Sequence, residues 1–164
     1  MYSMTVFILG IVCGVVGVGV LMVAFMPKMG RLFFVVDQSG LPFEETINQI
    51  RERCKTSEHW ILQAEKDYNA AYIKNGSGEM PHRLVEFKLG NPDHSYRVNR
   101  VNPEVSTFMP AALAIVEYTP EKVLIYRKNT GIMGKMFNEP MRTIMGVEVP
   151  QQLDELLKGI IVKS

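Results

Sequence analysis

The sequence predicts an α+β domain in residues 32–164, a small antiparallel sheet with helices on one face, preceded by a single transmembrane helix in residues 1–31. Three observations lead to this fold class. The first residues are apolar and uncharged, the remainder alternates between strand-like and helix-like periodicity, and short turns join its strand-like segments. The predicted element order of the domain is β-α-β-β-(α)-β-β-α.

The charged residues balance, and all of them lie in the second part of the chain. Lysine plus arginine number 18 and aspartate plus glutamate 17, and every one of them lies at or beyond Lys28. This balance produces no long-range field to attract a polyanion, so we expect no nucleic acid partner. The two cysteines, Cys13 and Cys54, are expected to be buried thiols rather than a disulfide.

Residues 4–26 contain no charged side chain, no proline and no amide. As a helix rising 1.5 Å per residue, this segment is about 34 Å long, enough for a hydrocarbon core of about 30 Å. A cleaved leader is the alternative, but the start has no Lys or Arg, and the run ends in a poor cleavage sequence. We therefore expect a retained single span in the cell membrane, with the lipid bilayer as a partner.

Three glycines in this segment, Gly10, Gly14 and Gly17, recur at helical spacing and share one face. A face without side chains lets another helix approach closely, so they predict packing against other transmembrane helices or membrane-complex subunits. The alternative is that glycine is simply common in membrane helices. Lys28 and Arg31 follow the segment, and the positive-inside rule then favours a cytoplasmic domain.

The first half of the domain predicts a strand, a helix and two further strands. Residues 32–37 are aromatic and β-branched, which is typical of a strand. From Phe43 onwards, apolar residues recur at helical spacing behind an acidic first turn, which indicates an amphipathic helix. Residues 59–76 and 82–90 predict the next two strands, the first of them closing in a partial turn.

The second half predicts a hairpin and a closing helix. An Asn-Pro turn at residues 91–92 opens a segment that can hold a short helix and that closes at Pro110. Residues 112–128 form a hairpin whose turn carries proline where a type I turn favours it. Residues 129–146 are irregular, and Pro150 opens a helix with one apolar stripe that extends to Ile161.

Several ordered motifs mark this domain: a tryptophan opening the second strand, an Asn-Pro after the third, a proline before the hairpin and a Gly-x-Met-Gly loop after it. They fall at Trp60, Asn91 and Pro92, Pro110, and residues 131–134. Together they resemble the domain of unknown function 302 family over about residues 32–161. The resemblance implies a TATA-binding-protein-like α+β fold and a homodimer through the domain, and it implies no activity.

Two clusters are candidates for ligand contact. Near the Asn-Pro turn these are Asn91, Asp93 and His94, of which the last two could act as acid and base in a pocket, although turn chemistry explains the same residues. In the loop after the hairpin the candidates are Met133 and Met136, within a group of four methionines. Thioethers can hold Cu(I), but methionine also fills gaps in a core.

The sequence contains no common catalytic or metal-binding motif. The three histidines lack zinc spacing, and there is no Cys-x-x-Cys, nucleophile elbow or phosphate-binding glycine loop. We therefore predict no catalytic residues, no metal and no cofactor. The first hypothesis for function is a membrane-anchored accessory subunit of a membrane-protein complex. The alternative is a ligand- or metal-binding sensor domain tethered to the membrane, and a third is an enzyme that uses His94.

Overall fold

A computed structural model of the chain divides into two compact units, residues 1–33 and 34–164. It describes residues 2–162, apart from the side chains at positions 2, 3, 5, 15, 21, 22 and 24–29. The outer ends of the two predicted domains, residue 1 and residues 163–164, lie outside the described residues. So does the side chain of Lys28, on which the predicted orientation rested.

The first unit contains helix α1, Tyr2–Leu32. A bilayer span needs about 20 consecutive, predominantly apolar residues. In the part of the chain that the structure describes, no helix is both long enough and apolar enough to cross a membrane. The predicted transmembrane helix is therefore wrong, and so are the fold class that included it and the single-pass, cytoplasm-facing location that depended on it.

The second unit is an α+β domain built on a six-stranded antiparallel sheet in the order β2-β3-β4-β5-β1-β6. The strands are β1 Phe34–Ser39, β2 Ile61–Asp67, β3 Arg83–Gly90, β4 Ala111–Thr119, β5 Lys122–Lys128 and β6 Ile161–Val162. The helices are α2 Phe43–Thr56, α3 Tyr68–Lys74, α4 Pro92–Asn99, α5 Thr130–Gly134, the single turn α6 Met141–Thr143 and α7 Val149–Leu157. A 3₁₀ helix spans Pro103–Phe108, and a π-helix spans Ile144–Glu148.

One buried cluster joins the central strands to helices α2 and α7. Alternate residues of a strand share a face, and Phe87, Leu113 and Ile125 on the three central strands have no exposed surface. Ile50 of α2 and Leu157 of α7 are equally buried and belong to the same cluster. The helical spacing recognised from Phe43 onwards is confirmed, because α2 buries the apolar stripe that defined it.

Residues 68–74 form helix α3 instead of extending the predicted second strand. The side chain of Asp67 accepts a hydrogen bond from the backbone N–H of Ala70 at 3.1 Å. This N-cap satisfies one of the free donors of the first turn, so the chain turns into a helix where strand β2 ends.

The closing helix is shorter than predicted. Helix α7 ends at Leu157, and Gly159 takes a left-handed φ of 78°, which glycine adopts without strain. The next residues then pair with Gln38 and Ser39 as strand β6. Ile161 therefore belongs to the sheet and not to the helical stripe.

Residues 129–146, predicted to be irregular, contain α5, α6 and the start of the π-helix. Two glycines bring α5 and the π-helix into backbone contact. A Cβ atom placed on Gly134 would lie 2.6 Å from the Cα of Gly146, closer than real Cβ atoms approach. Only glycine therefore fits at position 134 with these two backbones in place.

Gly134→Ala should destabilise the domain by about 1–3 kcal/mol, because the added methyl overlaps a backbone that cannot move aside easily. Urea unfolding measures the effect. The matched control is Gly131→Ala on the same helix, where the new Cβ would meet its nearest atom, Asn129 Oδ1, at an ordinary 3.5 Å. Equal unfolding midpoints for the two variants would refute the close approach.

Candidate ligand-binding site

The domain contains a cavity of about 430 Å³ at the ends of strands β3 and β4. Helices α4 and α7, the 3₁₀ helix and the π-helix supply much of the remaining wall, and β2, β5, α5, α6 and the segment before β2 each add one residue. Most of the lining is apolar, as the side chains of Leu89, Val98, Val105, Met141 and Leu153 illustrate. Sites for small organic ligands have volumes of about 300–1,000 Å³ and this kind of lining.

The Asn-Pro turn places His94 in this wall. Asn91 is the N-cap of α4: its Oδ1 accepts a hydrogen bond from the backbone N–H of His94 at 3.1 Å, and Pro92 takes the first helical position. The Nδ2 of Asn91 donates to Gln152 Oε1 on α7 at 3.0 Å. These bonds fix His94 in the first turn of α4, where its side chain is buried.

A chain of charged groups continues from the His94 ring. Its Nε2 lies 3.0 Å from Oε2 of Glu148, the last residue of the π-helix. Arg97 donates to both oxygens of that carboxylate, at 2.7 and 2.8 Å, and also to Asp93 at 3.1 Å. Two-pronged contacts between arginine and a carboxylate are among the strong, geometrically specific hydrogen bonds.

The surroundings set the protonation state of each member. Burial lowers the pKa of His94, although Glu148 opposes that effect, and hydrogen bonds from Arg97 lower the pKa of Glu148. His94 is thus neutral and Glu148 ionised at neutral pH. Since a carboxylate only accepts hydrogen bonds, the single ring proton lies on Nε2 and leaves Nδ1 as an unprotonated acceptor.

Among the residues that the structure describes, two buried nitrogens of cavity-lining side chains have no hydrogen-bond partner. They are Nδ1 of His94, an acceptor, and Nε1 of Trp60, a donor. The two rings meet edge to face, with centroids 6.2 Å apart and planes at 87°. Each unmade hydrogen bond costs about 1–3 kcal/mol. Because both nitrogens are buried, neither can be satisfied without a movement of its ring or of the neighbouring side chains.

Asp93, His94 and Glu148 come close enough for one metal ion, with ligand atoms within 4.8 Å of one another. The guanidinium of Arg97 already contacts both carboxylates of this group. A metal ion would have to displace that cation. Asp93, Arg97 and Glu148 therefore form an ion-pair network beside His94.

The predicted ligand contacts fall in different places. Asn91 and His94 line the cavity, whereas Asp93 is exposed beside Arg97. Met133 is partly buried against the core and Met136 is 72% exposed, and neither lines the cavity. Contact between a ligand and these residues stays a prediction.

The predicted helix-packing residues Gly10, Gly14 and Gly17 all lie on α1. A Cβ atom at any of the three would meet no atom of the described chain within 4 Å. An added methyl at these positions would thus contact nothing in the described part of the chain, and their packing role stays a prediction.

Three residues of the site escaped sequence reasoning. Glu148 and Lys128 reach it from distant parts of the chain, and Trp60 was noted only as part of a family motif. The available signal for Glu148 was its position as the single charge in the apolar run Met-Gly-Val-Glu-Val-Pro before α7. Only tertiary structure shows which residue it contacts.

The chain belongs to the family described as domain of unknown function DUF302, whose profile matches residues 35–160. The family resemblance is thereby confirmed for the domain, without the added transmembrane anchor. A similar fold occurs in the crystal structure of an uncharacterized conserved protein DUF302 from Bacillus stearothermophilus. That chain is 19% identical, with a TM-score of 0.66 over 78% of this chain and 98% of its own. No curated protein matches the sequence.

Lowering the pH below about 6.5 should destabilise the domain through His94. Burial depresses the pKa of this residue in the folded state, so the unfolded chain, with a histidine pKa of about 6.5, binds the proton first. The free energy of unfolding should therefore fall as the pH drops through this range, until the folded pKa is passed.

Urea unfolding between about pH 8 and pH 5, on wild type and His94→Phe, measures this effect. The phenylalanine ring cannot titrate and leaves the pair of Arg97 and Glu148 in place, so the variant should lack this part of the pH dependence. Glu148 acts separately, below its usual pKa of about 4.3. Parallel pH profiles for the two proteins would contradict the assignment.

Proposed function

We propose that the domain binds a small, largely apolar molecule in the cavity between the sheet and helices α4 and α7. The observation that carries this proposal is the pair of unsatisfied nitrogens, on Trp60 and His94, in the wall of a 430 Å³ cavity. An ordinary core closes around apolar side chains and pairs its polar atoms. Here the core leaves a cavity instead of closing, and two polar atoms of the cavity-lining residues are unpaired.

The surrounding contacts support a binding site that is formed in advance. Asn91 and Gln152 tie α4 to α7, and Arg97 ties α4 to the π-helix through Glu148. Three elements of the wall are therefore cross-linked by polar contacts between their own side chains. A wall held in this way loses little conformational entropy when a ligand binds, which favours affinity.

A second candidate is a Cu(I) site, because Met141 and Met145 line the same cavity as the unprotonated Nδ1 of His94. Thioether and imidazole groups suit Cu(I). The organic ligand is favoured, since Met133 and Met136, two of the four methionines that suggested copper, lie outside the wall. Titration with Cu(I) in competition with a chelator distinguishes the two candidates.

An accessory role in a protein complex, and a homodimer through the domain, stay predictions. The membrane-anchored version of that role is not carried forward, because no helix in the described part of the chain meets the requirement for a span.

The neutral fluorescent probe N-phenyl-1-naphthylamine should bind in the cavity, with increased probe emission and quenched emission from Trp60, the single tryptophan of the chain. Ala111→Leu should weaken this binding about tenfold or more, because the larger side chain fills space in the wall. Fluorescence titration gives both dissociation constants.

The control is Ala114→Leu on the same strand, at a position outside the cavity lining. It should bind the probe as wild type does. Absence of binding to wild type, or equal weakening by the two substitutions, would overturn the proposal.

A further inference from the structure

Lys128 stands where the cavity meets strand β5. It is the last residue of that strand and lines the cavity together with Phe108, whose backbone oxygen accepts a hydrogen bond from Nζ at 2.9 Å. An ammonium group has three N–H donors, so this bond leaves two for another partner.

The charge of Lys128 is not neutralised by an ion pair. Within the described residues, no aspartate or glutamate forms a salt bridge with it. Burial lowers the pKa of Lys128, and the more distant charges of Glu86 and Lys88 act on it with opposite signs. An ammonium that has lost part of its water without gaining a counter-charge is stabilised by any anion that reaches it.

The remaining polar groups of the wall are neutral. Over residues 2–162, as far as their side chains are described, the lining contains no aspartate or glutamate, and His94 is uncharged at neutral pH for the reasons given above. A cationic ligand would thus find no counter-charge in the wall and would meet repulsion from Lys128. A neutral ligand would leave the ammonium unpaired.

We infer that the ligand of this cavity is a monocarboxylate with an apolar body, whose carboxylate pairs with Lys128 at the strand end while the body occupies the apolar interior. This inference rests on the proposed binding function and specifies the ligand class. The apolar lining binds the body of the ligand whether or not its head group is charged. Lys128 supplies the preference for an anionic head group.

The test compares octanoate with octanamide, two probes with the same chain and different head-group charge. Their dissociation constants are measured at about pH 7.5 by isothermal titration calorimetry, on wild type, Lys128→Gln and Lys122→Gln. Glutamine keeps a donor for the Phe108 oxygen without the charge. Lys122 lies at the other end of the same strand, is exposed and does not line the cavity.

We expect wild type and Lys122→Gln to bind octanoate about tenfold more tightly than octanamide, a difference of about 1.4 kcal/mol. Lys128→Gln should lose this preference while its affinity for octanamide changes less than about twofold. Equal affinities of wild type for both probes, or a preference that survives in Lys128→Gln, would overturn the inference and leave the proposed function standing. Failure of wild type to bind either probe would overturn the inference, and if N-phenyl-1-naphthylamine also fails to bind, the proposed function is overturned with it.

Discussion

The paired hydrogen bonds between Arg97 and Glu148 are the contact on which the candidate site depends. They join helix α4 to the π-helix and keep the carboxylate ionised. An ionised Glu148 requires a proton on Nε2 of His94, and the buried Nδ1 of the neutral ring is then an unprotonated acceptor. Without Arg97, Glu148 would lose its main counter-charge, and neither the histidine tautomer nor the position of its ring would be fixed.

The position of Glu148 depends in turn on the backbone. It is the last residue of a π-helix, a rare conformation that often occurs at functional sites. The contact of Gly134 with Gly146 lets α5 pack directly against this π-helix. The site therefore combines a rigid backbone contact on one side with a polar network on the other, and the cavity lies between that network and the sheet.

Local signals predicted some elements well and others poorly. Helix α2 followed from a strong apolar periodicity, and the hairpin of β4 and β5 from two apolar runs around a turn. Helix α3 depends on one capping bond, and strand β6 depends on pairing with β1 at the far end of the chain. The transmembrane prediction relied on local composition alone, and the helices in the described part of the chain do not meet the requirement for a span.

The site shows the same division between local and distant information. Asn91 and His94 could be found because the capping turn that positions them is encoded within a few residues. Glu148, Trp60 and Lys128 could not be grouped with them, because the fold brings them together from distant segments.

The tautomer of His94 tests this account most directly. Long-range ¹H–¹⁵N spectra at neutral pH distinguish an imidazole with its proton on Nε2 from one with its proton on Nδ1 and from the doubly protonated ring. The His94 signals can be assigned by their disappearance in His94→Phe. We expect the neutral Nε2–H form, with Nδ1 unprotonated. A proton on Nδ1, or a doubly protonated ring at pH 7, would contradict the account.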